Sequence, residues 1–165
     1  TSSHCDWSSD VCSSDLAARR GLGGFASSSA GYMAGGFSAG PSVYHTTVDK
    51  FAFSDDGRST LGTGLSAGRA WLAGMNSASA GYIAAGDTGS KVDTVDKFAF
   101  SDDSRSVLST GLSAARHWLG AMASAAAGYV GGGFAAAGAV TTVDKFAFAD
   151  DSRSTLGTGD RKSVV

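Results

Sequence analysis

The residues of this chain whose types suit chemistry are three Asp pairs, a set of recurring arginines and two isolated histidines in the body of the chain, a third, His4, lying near its start. The pairs are Asp55-Asp56, Asp102-Asp103 and Asp150-Asp151. Two carboxylates side by side suit cation binding or general acid–base work. Adjacent residues of a strand point to opposite faces, however, which separates the two groups. The surrounding Ser, Gly and Arg residues suit turns instead, where an Asp side chain accepts hydrogen bonds from nearby backbone amides. Repetition favours the turn, because a catalytic site is usually asymmetric. Arg58, Arg105 and Arg153 follow the pairs, and they are expected to pair with the turn Asp residues or stay solvated. Arg69 and Arg116 are expected to reach Asp96 and Asp144 or the next repeat. His45 and His117 are the histidine candidates for a metal ligand or a base, but they occupy non-equivalent places without a cluster. No catalytic residue and no metal ligand is assigned. Gly35-Gly36 and Gly131-Gly132-Gly133 have no strand–loop–helix context for phosphate, and they suit turns and close backbone packing.

These residues are positioned by a repeat. The segment Thr47 to Asp56 returns as Thr94 to Asp103 and as Thr142 to Asp151, with Ala149 in place of Ser. The Asp of Val-Asp-Lys stands at 49, 96 and 144, giving spacings of 47 and 48. Gly31-Tyr32, Gly81-Tyr82 and Gly128-Tyr129 keep nearly the same period. Three units follow, at 17–64, 65–111 and 112–159.

Each unit reads as four short strands. In the second unit these are Arg69 to Met75, Gly81 to Ala85, Val95 to Phe100 and Arg105 to Leu108. Arg19 to Phe25 and Arg116 to Met122 are the counterparts of the first strand. Turn residues separate the strands: Asn76 to Ser79, Asp87 to Ser90 and Ser101 to Ser104. Gly and Ser interrupt almost every Ala run, so no helical period is sustained. Trp71, Tyr82, Phe98 and Phe100, with their counterparts, are expected to carry the burial between units.

A four-strand unit of this size resembles a kelch-type repeat of the galactose-oxidase-like propellers. Three features carry the resemblance. An Arg opens the first strand (Arg19, Arg69, Arg116), and Tyr followed by glycines closes the second (Tyr32 with Gly35-Gly36, Tyr129 with Gly132-Gly133). The third strand has the form Val-Asp-x-aromatic. The middle copy departs with Ala85-Gly86, and Leu61, Leu108 and Leu156 stand near the place of the kelch Trp. Ser54 to Leu61 also looks like an Asp-box hairpin, a turn found between outer strands of propeller blades. The resemblance implies an all-β fold: a partial β-propeller of three four-stranded antiparallel blades, an open arc of a larger ring. A copper site beside a Cys-linked Tyr, as in galactose oxidase, needs a cysteine that 17–159 lacks, so no cofactor is expected.

The repeat register stops abruptly at both ends. Asp6 to Leu16 and Asp160 to Val165 look like translated sequencing adapter, so 1–16 and 160–165 are expected to be foreign to the repeats. Both cysteines, Cys5 and Cys12, fall in that flank. All 15 acidic residues are Asp, and the formal net charge is −2. Within 17–159 eleven basic residues face eleven Asp, which excludes an electrostatic grip on nucleic acid. No apolar run approaches the ~20 residues of a membrane span. The most variable segments are the loops after the second strand, and Tyr44, His45, Asp87 and Lys91 are the ligand or partner candidates there. The expected function is a binding or structural interaction module for a protein or carbohydrate, completed by additional blades of the same parent chain. The alternatives are a propeller enzyme (hydrolase, oxidase or isomerase) with its active site in other blades, and a repetitive surface protein.

Overall fold

The computed structural model of the chain describes residues 18–157, so both adapter-like flanks lie outside the described residues. Every regular element in this range is a strand. β1 (Gly23–Ala26) and β2 (Ala30–Ala34) precede a small hairpin of β3 (Phe37–Ala39) and β4 (Ser42–Tyr44), and β5 (Val48–Ala52) and β6 (Arg58–Thr60) follow. The second repeat holds β7 (Ala73–Asn76), β8 (Ala80–Asp87), β9 (Lys91–Ala99) and β10 (Arg105–Val107). The third holds β11 (Gly120–Ala123) and β12 (Ala127–Gly131), the hairpin β13 (Phe134–Ala135) and β14 (Gly138–Ala139), then β15 (Val143–Ala147) and β16 (Arg153–Leu156). Each repeat folds into one four-stranded antiparallel sheet with its strands in chain order.

Side chains close the turns. Ser27, Ser77 and Ser124 hydroxyls accept hydrogen bonds from the amides of Ala30, Ala80 and Ala127 at 3.0, 3.0 and 3.2 Å. Asp55, Asp102 and Asp150 carboxylates accept from the amides of Gly57, Ser104 and Ser152 at 2.9, 3.0 and 3.0 Å. The next residues, Asp56, Asp103 and Asp151, take φ values of 56°, 57° and 56°, which Asp tolerates better than most side chains. The Asp pairs are therefore turn formers, as their repetition suggests.

The first strands start later than the sequence suggests, at Gly23, Ala73 and Gly120 rather than at the preceding arginines. Gly21, Trp71 and Trp118, equivalent in register, take φ values of 70°, 54° and 55°. That left-handed residue bends the chain out of the extended conformation, so Arg19, Arg69 and Arg116 lie before the bend.

The sheets stack face to face. Phe25, Tyr32 and Val48 of the first sheet pack with Leu72, Ile83 and Phe98 of the second repeat. Met75, Tyr82 and Val95 of the second pack with Val130 and Phe146 of the third. A Cβ on Gly81 would fall inside the Phe25 ring, and one on Gly128 against the Met75 sulfur, so glycine at these places lets the sheets close. β8 is buried along nearly its whole length because its sheet is covered on both sides. β7 packs on both β1 and β11, while no comparable packing joins β6, β10 and β16 among the described residues. The sheets thus meet along their first strands and fan apart at their fourth.

Buried ion pairs lock each repeat internally. Arg19, Arg69 and Arg116 meet Asp49, Asp96 and Asp144 at 2.6, 2.9 and 3.0 Å, with all six side chains at 1% exposure or less. The expected Arg69–Asp96 and Arg116–Asp144 contacts are therefore present. Arg58, Arg105 and Arg153 do not pair with the turn Asp residues. Adjacent strands bring them to the other oxygen of the same buried carboxylates, at 3.5, 3.5 and 3.3 Å. Burial pushes the Asp144 carboxyl up, but the Ser113 amide, the Thr155 and Ser113 hydroxyls and Arg116 outweigh it, so its pKa lies below the ordinary value.

A second set of bridges joins neighbouring sheets. Tyr32 Oη and Lys50 Nζ donate to Asp103 at 3.0 and 2.6 Å. Tyr82 Oη and Lys97 Nζ donate to Asp151 at 2.9 and 2.6 Å. Asp103 and Asp151, the second Asp of the later two pairs, are set by their turns to receive the Tyr and Lys of the preceding sheet.

Candidate functional site

The loops between second and third strands gather at one end of the sheets, and an aromatic strip crosses that end. The strip grows from the bend residues. The Trp71 amide donates to the Gly21 carbonyl at 2.7 Å and the Trp118 amide to the Trp71 carbonyl at 3.0 Å, so the three bends are stitched in series. The Trp71 and Trp118 side chains lie at the end of the stack, outside its two buried clusters. Phe37 lies 5.8 Å from Trp71, Trp71 6.3 Å from Trp118, and Trp118 5.8 Å from Phe134 (ring centroids). Tyr44 flanks Phe37 at 5.1 Å, and the Arg20 guanidinium lies 5.5 Å over the Phe37 ring. Trp118 is 60% exposed and Phe134 45%.

Three loop pairings hold the strip to its sheets, the first between Arg20 and Phe37, which exchange backbone hydrogen bonds at 3.0 and 2.8 Å. Ala70 and Asp87 exchange backbone hydrogen bonds at 3.0 and 2.9 Å, and His117 and Phe134 do the same at 3.2 and 2.9 Å. Asp87 also gathers side chains from the repeats on either side of its own. Its carboxylate accepts from the Tyr44 hydroxyl at 3.1 Å and from its own loop's Gly89 amide at 2.6 Å, and it meets His117 Nδ1 at 3.2 Å. His117 in turn lies 4.8 Å from Trp118. Burial and the Asp87 carboxylate push the Tyr44 hydroxyl pKa up, which keeps it a neutral donor.

Of the four loop residues singled out by sequence, Tyr44 and Asp87 belong to this cluster. His45 points its Nε2 to Ser38 Oγ at 3.1 Å within its own hairpin. Lys91 sits half-buried at the start of β9, with no side-chain hydrogen bond or ion pair among the described residues. His117 is not isolated as its lone place in the sequence suggested, because the stacking of sheets brings Asp87 to it. Trp71 is expected in the packing between repeats, and its ring does meet Phe37 and Tyr44 of the first repeat and His117 and Trp118 of the third, but at the loop end and outside the two buried clusters. One signal pointed there: the first repeat has Gly21 at the same register, and a position that accepts either Gly or Trp is not a core position. The arrangement offers flat aromatic faces beside hydrogen-bonding Asp, His and Tyr groups. The described residues hold no cluster of three metal-ligating side chains and no helix long and apolar enough to cross a membrane. Compared with known proteins, the chain matches no protein-family model and no curated protein.

Proposed function

We propose that the three sheets are consecutive blades of a kelch-like β-propeller and that the protein is a binding module whose contact surface is the aromatic strip. The fan of sheets, joined along β1, β7 and β11, supports the blade reading. The observation that carries the binding reading is the pair of tryptophans held at φ 54° and 55° where the first repeat has glycine. A bulky side chain in this backbone region costs of order 1–3 kcal/mol and persists where it serves a purpose. The ligand that fits is a carbohydrate. Sugar rings stack on exposed indoles, and their hydroxyls pair with groups such as Asp87 and His117. A repetitive scaffold is the second reading, favoured by the near-identity of the third strands.

The test is binding to an oligosaccharide array, followed by titration of retained sugars against indole fluorescence. Trp118→Ala is expected to weaken binding at least about tenfold, the scale of an interface anchor. Retention of no sugar, or unchanged affinity in the Trp118 variant, would remove the carbohydrate reading in favour of the scaffold.

A further inference from the structure

The two outermost sheet faces are complementary, and the residues that match them are those that already join the sheets inside the molecule. At both internal junctions the leading sheet presents a first-strand side chain, a Tyr and a Lys: Phe25, Tyr32 and Lys50 at one, Met75, Tyr82 and Lys97 at the other. The following sheet presents a Gly, two Phe and a turn Asp: Gly81, Phe98, Phe100 and Asp103, then Gly128, Phe146, Phe148 and Asp151. Phe25 fits over Gly81 and Met75 over Gly128. Each Tyr–Lys pair meets the Asp.

The third sheet presents the next leading set with no sheet on it among the described residues: Met122, Tyr129 and Lys145. Met122 is 72% exposed. The first sheet presents the next following set, Gly31, Phe51, Phe53 and Asp56. Phe53 is 56% exposed, and Met33 beside it, which stands where Ile83 and Val130 are fully buried, is 48% exposed. Neither the Tyr129 hydroxyl, the Lys145 ammonium nor the Asp56 carboxylate has a partner among the described residues, whereas every equivalent inside the molecule does. On this outer face a Cβ added to Gly24 would meet only the Tyr32 carbonyl oxygen, at 3.5 Å, and one added to Gly31 only the molecule's own Phe53 ring, at 3.4 Å, so the face has room for an incoming strand and its Met.

We infer that two copies of this chain dock head to tail, the Met122 face of one on the Phe53 face of the other. Met122 fills the place over Gly31, and Tyr129 and Lys145 donate to Asp56. The contact is heterologous, so it either closes or propagates. Resting on the blade reading, the closed form is a dimer of six sheets, within the four to eight blades of known rings.

Light scattering on the eluting full chain tests this. The wild type is expected at twice the 16.5 kDa chain mass. Met122→Lys and Phe53→Lys change exposed residues, so each is expected to keep the wild-type circular dichroism and melting curve. Each is also expected to run as a monomer, with association weakened about a hundredfold. A head-to-tail contact makes one further demand: mixing the two variants restores a one-to-one dimer, because each keeps the face the other lacks. Concentration-dependent polymers with the same variant pattern would support the docking and overturn the six-sheet ring. A wild type monomeric at about 100 μM, far above the dissociation constant of ordinary specific interfaces, would overturn the docking and leave the sugar-binding reading standing. A dimer that survives both substitutions, or a mixture that stays monomeric, would overturn it equally.

Discussion

Replacing Arg69 by Met is expected to cost about 3–5 kcal/mol, the scale of breaking a buried ion pair by removing one partner. The Asp96 carboxylate is fully buried, and its Oδ2 accepts from the Ser66 amide at 2.9 Å, the Ser66 hydroxyl at 3.1 Å and Arg69 at 2.9 Å. Without Arg69 the nearest remaining cation is Arg105, 3.5 Å from Oδ1. Burial pushes the Arg69 pKa down, and the Asp96 carboxylate opposes that shift. Arg69 Nε also lacks a hydrogen-bond partner among the described residues, which leaves part of its desolvation uncompensated. The double replacement Arg69→Met with Asp96→Leu removes both charges, and it is expected to cost less than either single change. Urea unfolding of the four proteins reads this directly. With a slope of about 2 kcal/mol/M, a 4 kcal/mol loss moves the midpoint by about 2 M. Two groups in contact should show coupling of at least about 1 kcal/mol in the cycle. Additive losses would refute the claim that the two side chains neutralise one another, and would make Arg69 a packing residue only.

The Asp144 carboxyl has a folded pKa below its unfolded value, so its stabilisation is present above about pH 4 and is lost as pH falls through the folded value. The urea midpoint should therefore fall between about pH 4 and 2, and Asp144→Asn should flatten that dependence. The Asp151 bridge has the opposite sign. Burial pulls the Lys97 pKa down, but Asp151 and Tyr82 together raise it, and burial with Asp151 raises that of Tyr82. Stability from this bridge is full below about pH 10 and lost as pH rises through the raised values. Melting temperatures measured from about pH 9 to 12 should drop, and Lys97→Met should lower the neutral-pH value by about 2–4 °C, the shift for about 1 kcal/mol in a partly exposed pair. Gly86 has φ 112°, and a Cβ there would lie 2.7 Å from the Ala70 carbonyl oxygen. Gly86→Ala should cost about 2–4 kcal/mol by thermal unfolding, from backbone strain together with overpacking.

The glycine doublets illustrate how far local sequence reaches. Gly36, Gly86 and Gly133 share φ values of 107°, 112° and 93°, which is why the second glycine is kept in every copy. The residue before it is also left-handed in all three, yet the middle repeat places Ala85 there at φ 59°. Pattern reading marks this as a departure, and the backbone shows that the conformation is retained despite it. The arginines after the turns mark another limit. Their spacing to the turn Asp residues is short in sequence, but the antiparallel register of β9 and β10 sets Arg105 opposite Phe98, on the strand that carries Asp96. The carboxylate two residues away on the facing strand wins over the one in the adjoining turn.

Sequence alone determined the three-fold repeat and the all-β content with turns at Ser and Asp, and it offered Asp96 and Asp144 as one of two destinations for Arg69 and Arg116, between which the structure chose. These follow from local propensity and from contacts within one repeat, which periodicity exposes. Tertiary structure alone decided that Asp103 and Asp151 clasp the preceding sheet, from partners 71 and 69 residues away along the chain for Tyr32 and Tyr82. It alone decided that Trp71 and Trp118 leave the core for a shared strip with Phe37 and Phe134, and that Asp87 meets His117. Such contacts depend on how one sheet stacks on the next, and no spacing within a single repeat encodes that geometry.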